Sequence, residues 1–471
     1  MSIDALFREQ YLTYDWVSTL KNSQRFWYQN LNNKIYIYDQ QSLNIYTMSG
    51  YAAKLFATTE RQEFSLILET MPWDEMKSTH KIFESIINTS TLDIPDVKNF
   101  VDSIHLNFSN QCNLACKYCF RDNSLDFRIA DRSVPIRALE YLVYDCGKDA
   151  TEYFVGYCYG GEPLLEFENL KNLIRYASLL SEKINKQIRI HFCTNGTILT
   201  EEMVKFLFRR QRDINISIDG NEMVNDAVRQ YKNGKGTFSV IQSNIKKYQE
   251  NNFRIHARSV ITKNYPFPNR ILNHLLDMGF DSISMKPIRS GNPLSFDKEN
   301  IPQLLNAYKQ LLEMFHQDLI TERFDRIKKY KDDYSLRFIR VILLKQRVRR
   351  RCAWGRNQLV VNHLGEIFPC DSVLNIDRFK MGDVYTGVNW SQFSNLNVEE
   401  RGYCKICWAR NICGGTCFFS SWVVNNNISD IEPFECQLQK FLIENSLRLI
   451  FQLIDEKYNL NKLRTFFETI S

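Results

Sequence analysis

The chain has 471 residues, room for about three units of ordinary domain size. With 44% hydrophobic and 24% charged residues, it has the composition of a folded globular protein, which excludes extensive disorder. Its 60 Lys and Arg against 54 Asp and Glu leave +6, too even a balance to point to nucleic acid. No window reaches the roughly 18 apolar residues of a membrane span, and Met1-Ser2-Ile3-Asp4-Ala5 lacks the basic start and apolar core of a secretion signal. A cytoplasmic protein with no membrane or nucleic-acid partner is therefore expected. The 13 cysteines of such a chain point to metal or redox chemistry rather than to disulfides.

Residues 1–100 read as a separate module. Lys34-Ile35-Tyr36-Ile37-Tyr38 and Leu43-Asn44-Ile45-Tyr46-Thr47-Met48 are β-prone runs around Asp39-Gln40-Gln41-Ser42, a hairpin signal, with helices near 51–57, 61–70 and 74–88. From 101 to 330 short apolar strands alternate with helices, the pattern of a parallel sheet with crossover helices. Strands are expected near 104–109, 153–159, 188–194, 213–219, 254–261 and 282–288, with helices near 133–145, 167–185, 200–210, 237–250 and 267–278. An amphipathic segment at 301–322 would close the side of such an α/β barrel, whose active site belongs at the C-terminal strand ends.

Cys112-Asn113-Leu114-Ala115-Cys116-Lys117-Tyr118-Cys119-Phe120 follows the first of these strands. Cubane iron-sulfur clusters usually take four thiolates, so a compact set of three implies one iron with an open position. The C-x3-C-x2-C spacing, with Tyr118 before the third Cys and Phe120 after it, resembles the radical SAM superfamily. That resemblance implies a partial (β/α)6 barrel and a 4Fe-4S cluster on Cys112, Cys116 and Cys119 that chelates S-adenosylmethionine. One electron then releases a 5'-deoxyadenosyl radical that abstracts hydrogen from substrate.

Other strand ends carry matching signals. Tyr159-Gly160-Gly161-Glu162-Pro163 resembles the motif that holds the methionine amino group in this family: its two glycines let a ligand approach the backbone and Glu162 offers an acceptor. Thr194-Asn195-Gly196-Thr197 resembles the family's TNG turn. Ser217-Ile218-Asp219-Gly220, with Arg229 twelve residues after Ser217, resembles the branch of sulfatase and peptide maturases. There Ser217 would bond ribose or carboxylate and Arg229 would grip the methionine carboxylate with two prongs. Gly234-Lys235-Gly236-Thr237-Phe238 lacks phosphate-loop spacing and reads as a turn leading into a helix. His105, His191 and His256 read as core or lumen-lining histidines, and Cys146, Cys158 and Cys193 as small buried residues. The basic run Lys345, Arg347, Arg349, Arg350 and Arg351 reads as a solvated helix end.

Residues 331–471 hold an ordered array of thiols: Cys352-x12-Gly365-x4-Cys370, then Cys404-x2-Cys407-x5-Cys413-x3-Cys417, then Cys436. This layout resembles the SPASM domain, a cysteine-rich extension that carries two auxiliary 4Fe-4S clusters. By that resemblance Cys404, Cys407, Cys413 and Cys436 hold the outer cluster and Cys352, Cys370 and Cys417 the inner one. No cysteine lies between Cys352 and Cys370, which leaves the inner cluster with an open site or with a non-cysteine or substrate ligand. Asp371 beside Cys370 is either a proton acceptor, the role of such an Asp in anaerobic sulfatase-maturating enzymes, or a turn cap.

The N-terminal α+β module resembles the winged-helix-like leader-peptide recognition element of radical SAM peptide maturases, where a peptide adds a strand to a sheet edge. The expected function is therefore maturation of a ribosomally made precursor peptide, with a crosslink as product and flavodoxin or ferredoxin as electron donor. Formylglycine formation by a sulfatase maturase is the nearest alternative, and a non-catalytic iron-sulfur electron carrier is the alternative of another class.

Overall fold

The computed structural model describes residues 14–88, 101–107, 109–119, 130–157, 160–393 and 396–470. Phe120, Cys158 and Tyr159 lie outside the described residues.

Near the N-terminus a three-stranded antiparallel sheet runs in the order β1 (Phe26–Leu31), β2 (Lys34–Asp39), β3 (Asn44–Met48). The hairpin around residues 39–42 is as expected, and β1 is an addition. It is joined to β2 by Asn32 and Asn33 at φ 49° and 60°, the left-handed pair that a tight two-residue hairpin needs. The second turn is built on buried Asp39, whose carboxylate accepts from Arg25 Nε (2.8 Å) and Nη2 (2.7 Å), Ser42 Oγ (2.6 Å) and Gln41 N (2.9 Å).

Strand β2 is buried on both faces. Ile35 and Ile37 face a local core under the helices Gly50–Ala57, Arg61–Thr70 and Trp73–Asn88, while Tyr36 and Tyr38 belong to the main core of the molecule. Tyr36 stacks on Phe451 of the long helix Pro433–Asp455 at 4.9 Å, and Trp27 stacks on Phe451 and on Trp408 at 5.8 and 5.7 Å. Polar contacts rim this joint: Asn411 Nδ2 donates to the Gln40 carbonyl and side chain, and Asn32, Lys34 and Tyr36 all reach Asp455. The basic run expected at a solvated helix end also staples elements together. Lys345 donates to Asn44 and Arg347 to the Gln41 carbonyl, Arg349 pairs with Glu399, Arg350 donates to Asn397, and Arg351 donates to Tyr334.

Among the described residues the main sheet has ten strands. Six of them, β4 (Ser103–Leu106), β5 (Glu152–Tyr157), β6 (Gln187–Thr194), β7 (Asp213–Ser217), β8 (Arg254–Ile261) and β9 (Ser282–Pro287), are parallel and lie side by side in chain order. These are the expected barrel strands, with helices between them where the periodicity puts them. Ile255, Ala257 and Ile261 of β8 are buried under those helices, whereas His256 and Arg258 face the lumen. Four further strands extend the β4 edge: β10 (Gln358–Val361) pairs parallel to β4, and β11 (Glu366–Phe368), β12 (Gly382–Asp383) and β13 (Gly387–Val388) follow antiparallel. The cysteine-rich part is thus continuous with the barrel sheet, and Cys370 follows β11 by two residues. Among the described residues no helix is long and apolar enough to cross a membrane.

Asp333 is fully buried behind β9: Oδ1 accepts from Ser335 N and Oγ at 3.0 and 2.6 Å, while Oδ2 has no partner. Burial raises its carboxyl from the usual 3.8 to about 6. The protonated form suits the fold, so this group costs nothing below pH 4 and progressively more as pH rises through about 6. Asp333→Asn is expected to be near neutral at pH 4 and to stabilise by at most roughly 3 kcal/mol above pH 6, as read from denaturant melts across that range.

Candidate functional site

The loop after β4 is laid between the end of β5 and residues 228–231 by backbone bonds. Gly161 N donates to Ser109 O (2.7 Å), Glu162 N to Gln111 O (2.8 Å), Ala115 N to Gln230 O (2.8 Å) and Lys117 N to Val228 O (2.9 Å). Cys119 N then donates to Cys116 O (3.0 Å), a turn that gathers Cys112, Cys116 and Cys119, all half-buried. Burial pushes the Cys116 thiol up to about 11, with Cys112 and Cys119 adding to the shift and Arg229 opposing it. A Cβ on Gly160 would meet Asn107 and Ser109, and one on Gly161 the Gln111 backbone, so the space left by these glycines is used by the chain itself.

Glu162 is 3% exposed, and both of its oxygens are engaged within the protein. Oε1 accepts from Leu164 N (3.0 Å) and Thr194 Oγ1 (2.6 Å), and Oε2 from Asn195 N (2.6 Å). Burial raises its pKa against the pull of these donors. The carboxylate therefore ties the end of β5 to the end of β6. Asn195 in turn donates to Asn113 Oδ1 (2.9 Å) and lies 3.9 Å from Cys112 Sγ, bringing the TNG turn against the cysteine loop.

On the other side stands a buried trio. Asp219 Oδ2 accepts from Tyr118 OH (2.6 Å) and Arg229 Nε (2.8 Å), and Oδ1 accepts from Val260 N (2.7 Å). The Arg229 guanidinium also lies over the Tyr118 ring, 5.3 Å from its centroid. Burial disfavours its charge, but Asp219, Tyr118 and Cys116 outweigh that and raise its pKa. Arg229 is presented by a short helix that the sequence reading missed, Glu222–Val228, which Asn221 caps by accepting from Val224 N. Both η nitrogens of Arg229 are left without a hydrogen bond among the described residues. Ser217, at the end of β7, lies 3.3 Å from Cys193 Sγ, so Cys193 borders the site rather than filling the core. The Gly234–Thr237 turn leads into the helix Phe238–Glu250 as expected, with Asp226 accepting from Thr237 N and Phe238 N.

The second cysteine field divides into two groups. Cys417 acts electrostatically on both Cys352 and Cys370, with Arg289 close to each of the latter two. Cys404 feels Cys407 and Cys436, and Cys413 feels Cys404. Among the described residues no three His, Cys, Asp or Glu side chains converge as tightly as a single metal ion demands. Asp371 opens a short 3-10 turn, accepts from the Cys370 thiol at 3.2 Å, and acts on His105, whose pKa burial lowers to about 4.

Arg401 was not singled out by the sequence. It is 1% exposed and donates to Ser429 O, Thr416 O, Thr416 Oγ1, Ser421 Oγ, Ile428 O and Asp430 O, gathering the segments between Cys413 and Cys436. Gly415, at φ 89°, passes so close to this guanidinium that a Cβ there would meet Nη1.

Residues 106–269, from the end of β4 to the helix after β8, match the Radical SAM superfamily. The chain carries a radical SAM domain. A cysteine-type anaerobic sulfatase-maturating enzyme of Clostridium novyi (strain NT) is 25% identical over 305 residues, 62% of this chain and 78% of that protein. The structure of native anSMEcpe with bound AdoMet is similar with a TM-score of 0.62 at 21% identity, over 74% of this chain and 98% of that one. Streptococcus suis SuiB bound to precursor peptide SuiA is similar with a TM-score of 0.50 at 12% identity, over 87% and 98%. A radical SAM superfamily enzyme of this kind is related to sulfatase maturases and peptide-modifying enzymes, and the family implies a 4Fe-4S cluster and S-adenosylmethionine. The radical SAM domain has a donor set that fits both: three thiols on a pinned loop, and beside them a guanidinium with two uncommitted nitrogens.

Proposed function

We propose that this radical SAM enzyme is a peptide maturase that modifies a ribosomally made precursor peptide, forming a crosslink. The observation that carries the reading is the N-terminal sheet seated by Trp27 and Tyr36 directly on the cysteine-rich part, a platform beside the thiol sets to which a peptide can add a strand. SuiB, a protein of similar fold, binds its precursor peptide SuiA, which is consistent with this reading.

In this reading Cys112, Cys116 and Cys119 hold one cluster, and Cys404, Cys407, Cys413 and Cys436 hold an outer auxiliary one. Cys352, Cys370 and Cys417 hold the inner one. Cluster and S-adenosylmethionine together supply a 5'-deoxyadenosyl radical for hydrogen abstraction. Arg229 and Ser217 bind the methionine carboxylate or ribose, with Asp219 and Tyr118 fixing the guanidinium. Gly160, Gly161 and Asn195 contribute backbone and amide groups, and Glu162 acts by holding that backbone in place. Phe120, next to Cys119 in the sequence, joins the cofactor-binding set by resemblance alone. Asp371 would take the proton, and the auxiliary clusters the electron, released as the crosslink forms, and an external flavodoxin or ferredoxin supplies the electron that cleaves S-adenosylmethionine. A second reading, formylglycine formation, draws on the Clostridium novyi relative and on Asp371.

The test is mass spectrometry of a short peptide encoded beside this gene, incubated with reconstituted enzyme, S-adenosylmethionine and dithionite. Loss of two hydrogens with two side chains joined is expected; conversion of a Cys or Ser in a sulfatase peptide to an aldehyde would favour the second reading. Deleting residues 1–100 is expected to weaken peptide binding at least about tenfold while sparing uncoupled S-adenosylmethionine cleavage. Unchanged affinity in titrations with labelled peptide would reject the recognition role.

A further inference from the structure

The lumen of the barrel carries cations that no acidic side chain among the described residues neutralises. Arg258 on β8 and Lys286 on β9 point to the lumen face near the C-terminal strand ends, and both remain exposed there. Among the described residues Lys286 makes no hydrogen bond and no ion pair. Arg258 makes one polar contact, Nε to Asn215 Oδ1 at 3.0 Å, which leaves its η nitrogens uncommitted. Arg289, Arg258, Arg351 and Arg337 all act on the Lys286 ammonium with the same sign, and they add to burial in lowering its pKa.

Four of the carboxylates around this lumen are committed elsewhere, and Asp371, beside Cys370, acts on His105. Asp219 serves Tyr118 and Arg229, Glu162 serves Thr194 and Asn195, Asp213 serves His256 and Arg254, and Glu435 serves Cys417 N and Arg351. The cations beside the cysteines have a use of their own, since thiolate-bound iron is anionic: Arg289 and Arg351 lie by Cys352, and Arg337 by Cys413. Lys286 and Arg258 are the excess. Like charges gathered on one face of the lumen repel one another, and an entering anion relieves that repulsion.

We infer that the substrate presents a carboxylate to Lys286 and Arg258, so that the segment modified by this enzyme carries an acidic side chain or a free C-terminus at the reacting end. This rests on the peptide reading for its substrate class. The carboxylate would pair with the ammonium and with the η nitrogens of Arg258, fixing the depth to which the chain enters the lumen and thereby which carbon faces the radical.

The test uses reconstituted holoenzyme with S-adenosylmethionine and four probes in calorimetric titrations. These are acetyl-Gly-Glu-Gly-amide, its Gln counterpart, acetyl-Gly-Gly-Gly with a free C-terminus, and glutarate. The wild type is expected to bind at least one carboxylate probe about tenfold more tightly than the Gln peptide. That preference should persist in Lys286→Arg and vanish in Lys286→Met and Arg258→Met. Preference for the Glu peptide assigns the side-chain source, and preference for the free C-terminus assigns the other. Glutarate binding that depends on Lys286, with no binding of any peptide, would keep the carboxylate inference and remove the peptide reading. Equal binding of Glu and Gln peptides would overturn the inference and leave the peptide reading standing. Lost S-adenosylmethionine affinity in Lys286→Met with peptide preference intact would also overturn it, by giving the cation to the cofactor.

Discussion

Cys116→Ala is expected to yield a folded protein that releases no 5'-deoxyadenosine and holds about eight irons per chain where the wild type holds about twelve, by the four-per-cluster rule. The reason lies in how the loop is held. Ala115 N and Lys117 N, on either side of Cys116, are bonded to Gln230 O and Val228 O, so the backbone keeps its path without the thiol. Arg229 stays fixed by Asp219 at 2.8 Å, so a lost activity would not come from a displaced guanidinium. The two other thiol sets come from residues 352–436, so the iron that the proposed reading assigns to them is expected to stay. Iron and sulfide assays, deoxyadenosine chromatography and a thermal melt together read the result. Full cleavage by this variant would sink the assignment of the first cluster.

Arg401→Met is expected to have the largest effect on stability. The guanidinium is buried and spans six acceptors, four of them backbone carbonyls of residues 416, 428, 429 and 430. A methionine of similar length fills the volume but leaves those carbonyls dry and unpaired, a loss on the order of 3–5 kcal/mol. Lysine is not a rescue, because three donors at one point cannot cover acceptors arranged around a planar fork. Burial lowers the Arg401 pKa, while Cys404, Cys413 and Cys417 all favour its charge, so the same change removes a cation beside both auxiliary sets. Iron content should fall toward about four per chain, with S-adenosylmethionine cleavage surviving in the fraction that folds. An unchanged melting temperature and full iron would show that water replaces the guanidinium.

The six parallel strands were legible because each is a run of apolar residues bounded by a turn and followed by a helical period. The cysteine loop was legible because its spacing is local. What escaped the sequence was non-local. Strands β10 to β13 are two to four residues long, and β10 finds its partner β4 about 255 residues away, so no local pattern announces it. β1 was within reach, since Phe26-Trp27-Tyr28 is β-prone and Asn32-Asn33 is a hairpin turn. Arg401 was invisible because its acceptors are mostly carbonyls, which every residue has. Glu162 was visible as a residue but not in its contacts: the carboxylate expected to face an ammonium group is buried under Thr194 and Asn195. The basic run does follow a helix end, Arg337–Leu343, with Lys345 exposed, but its contacts were not legible from charge: Lys345 and Arg347 find their acceptors at the first residue of β3 and in the turn before it.

The seating of the N-terminal sheet on the helix Pro433–Asp455 has a consequence for biosynthesis. Trp27 and Tyr36 leave the ribosome roughly 400 residues ahead of Phe451, on which both stack. At elongation speeds of about 5–20 residues per second, that interval lasts on the order of tens of seconds. The early module can close its own small core around Phe56, Phe64 and Phe83 at once, but the Trp27 and Tyr36 face must wait, open to chaperones and to neighbouring nascent chains. Docking is thereby postponed until the cysteine-rich part has emerged, and a chain truncated before residue 451 should expose this aromatic face to quality-control proteases.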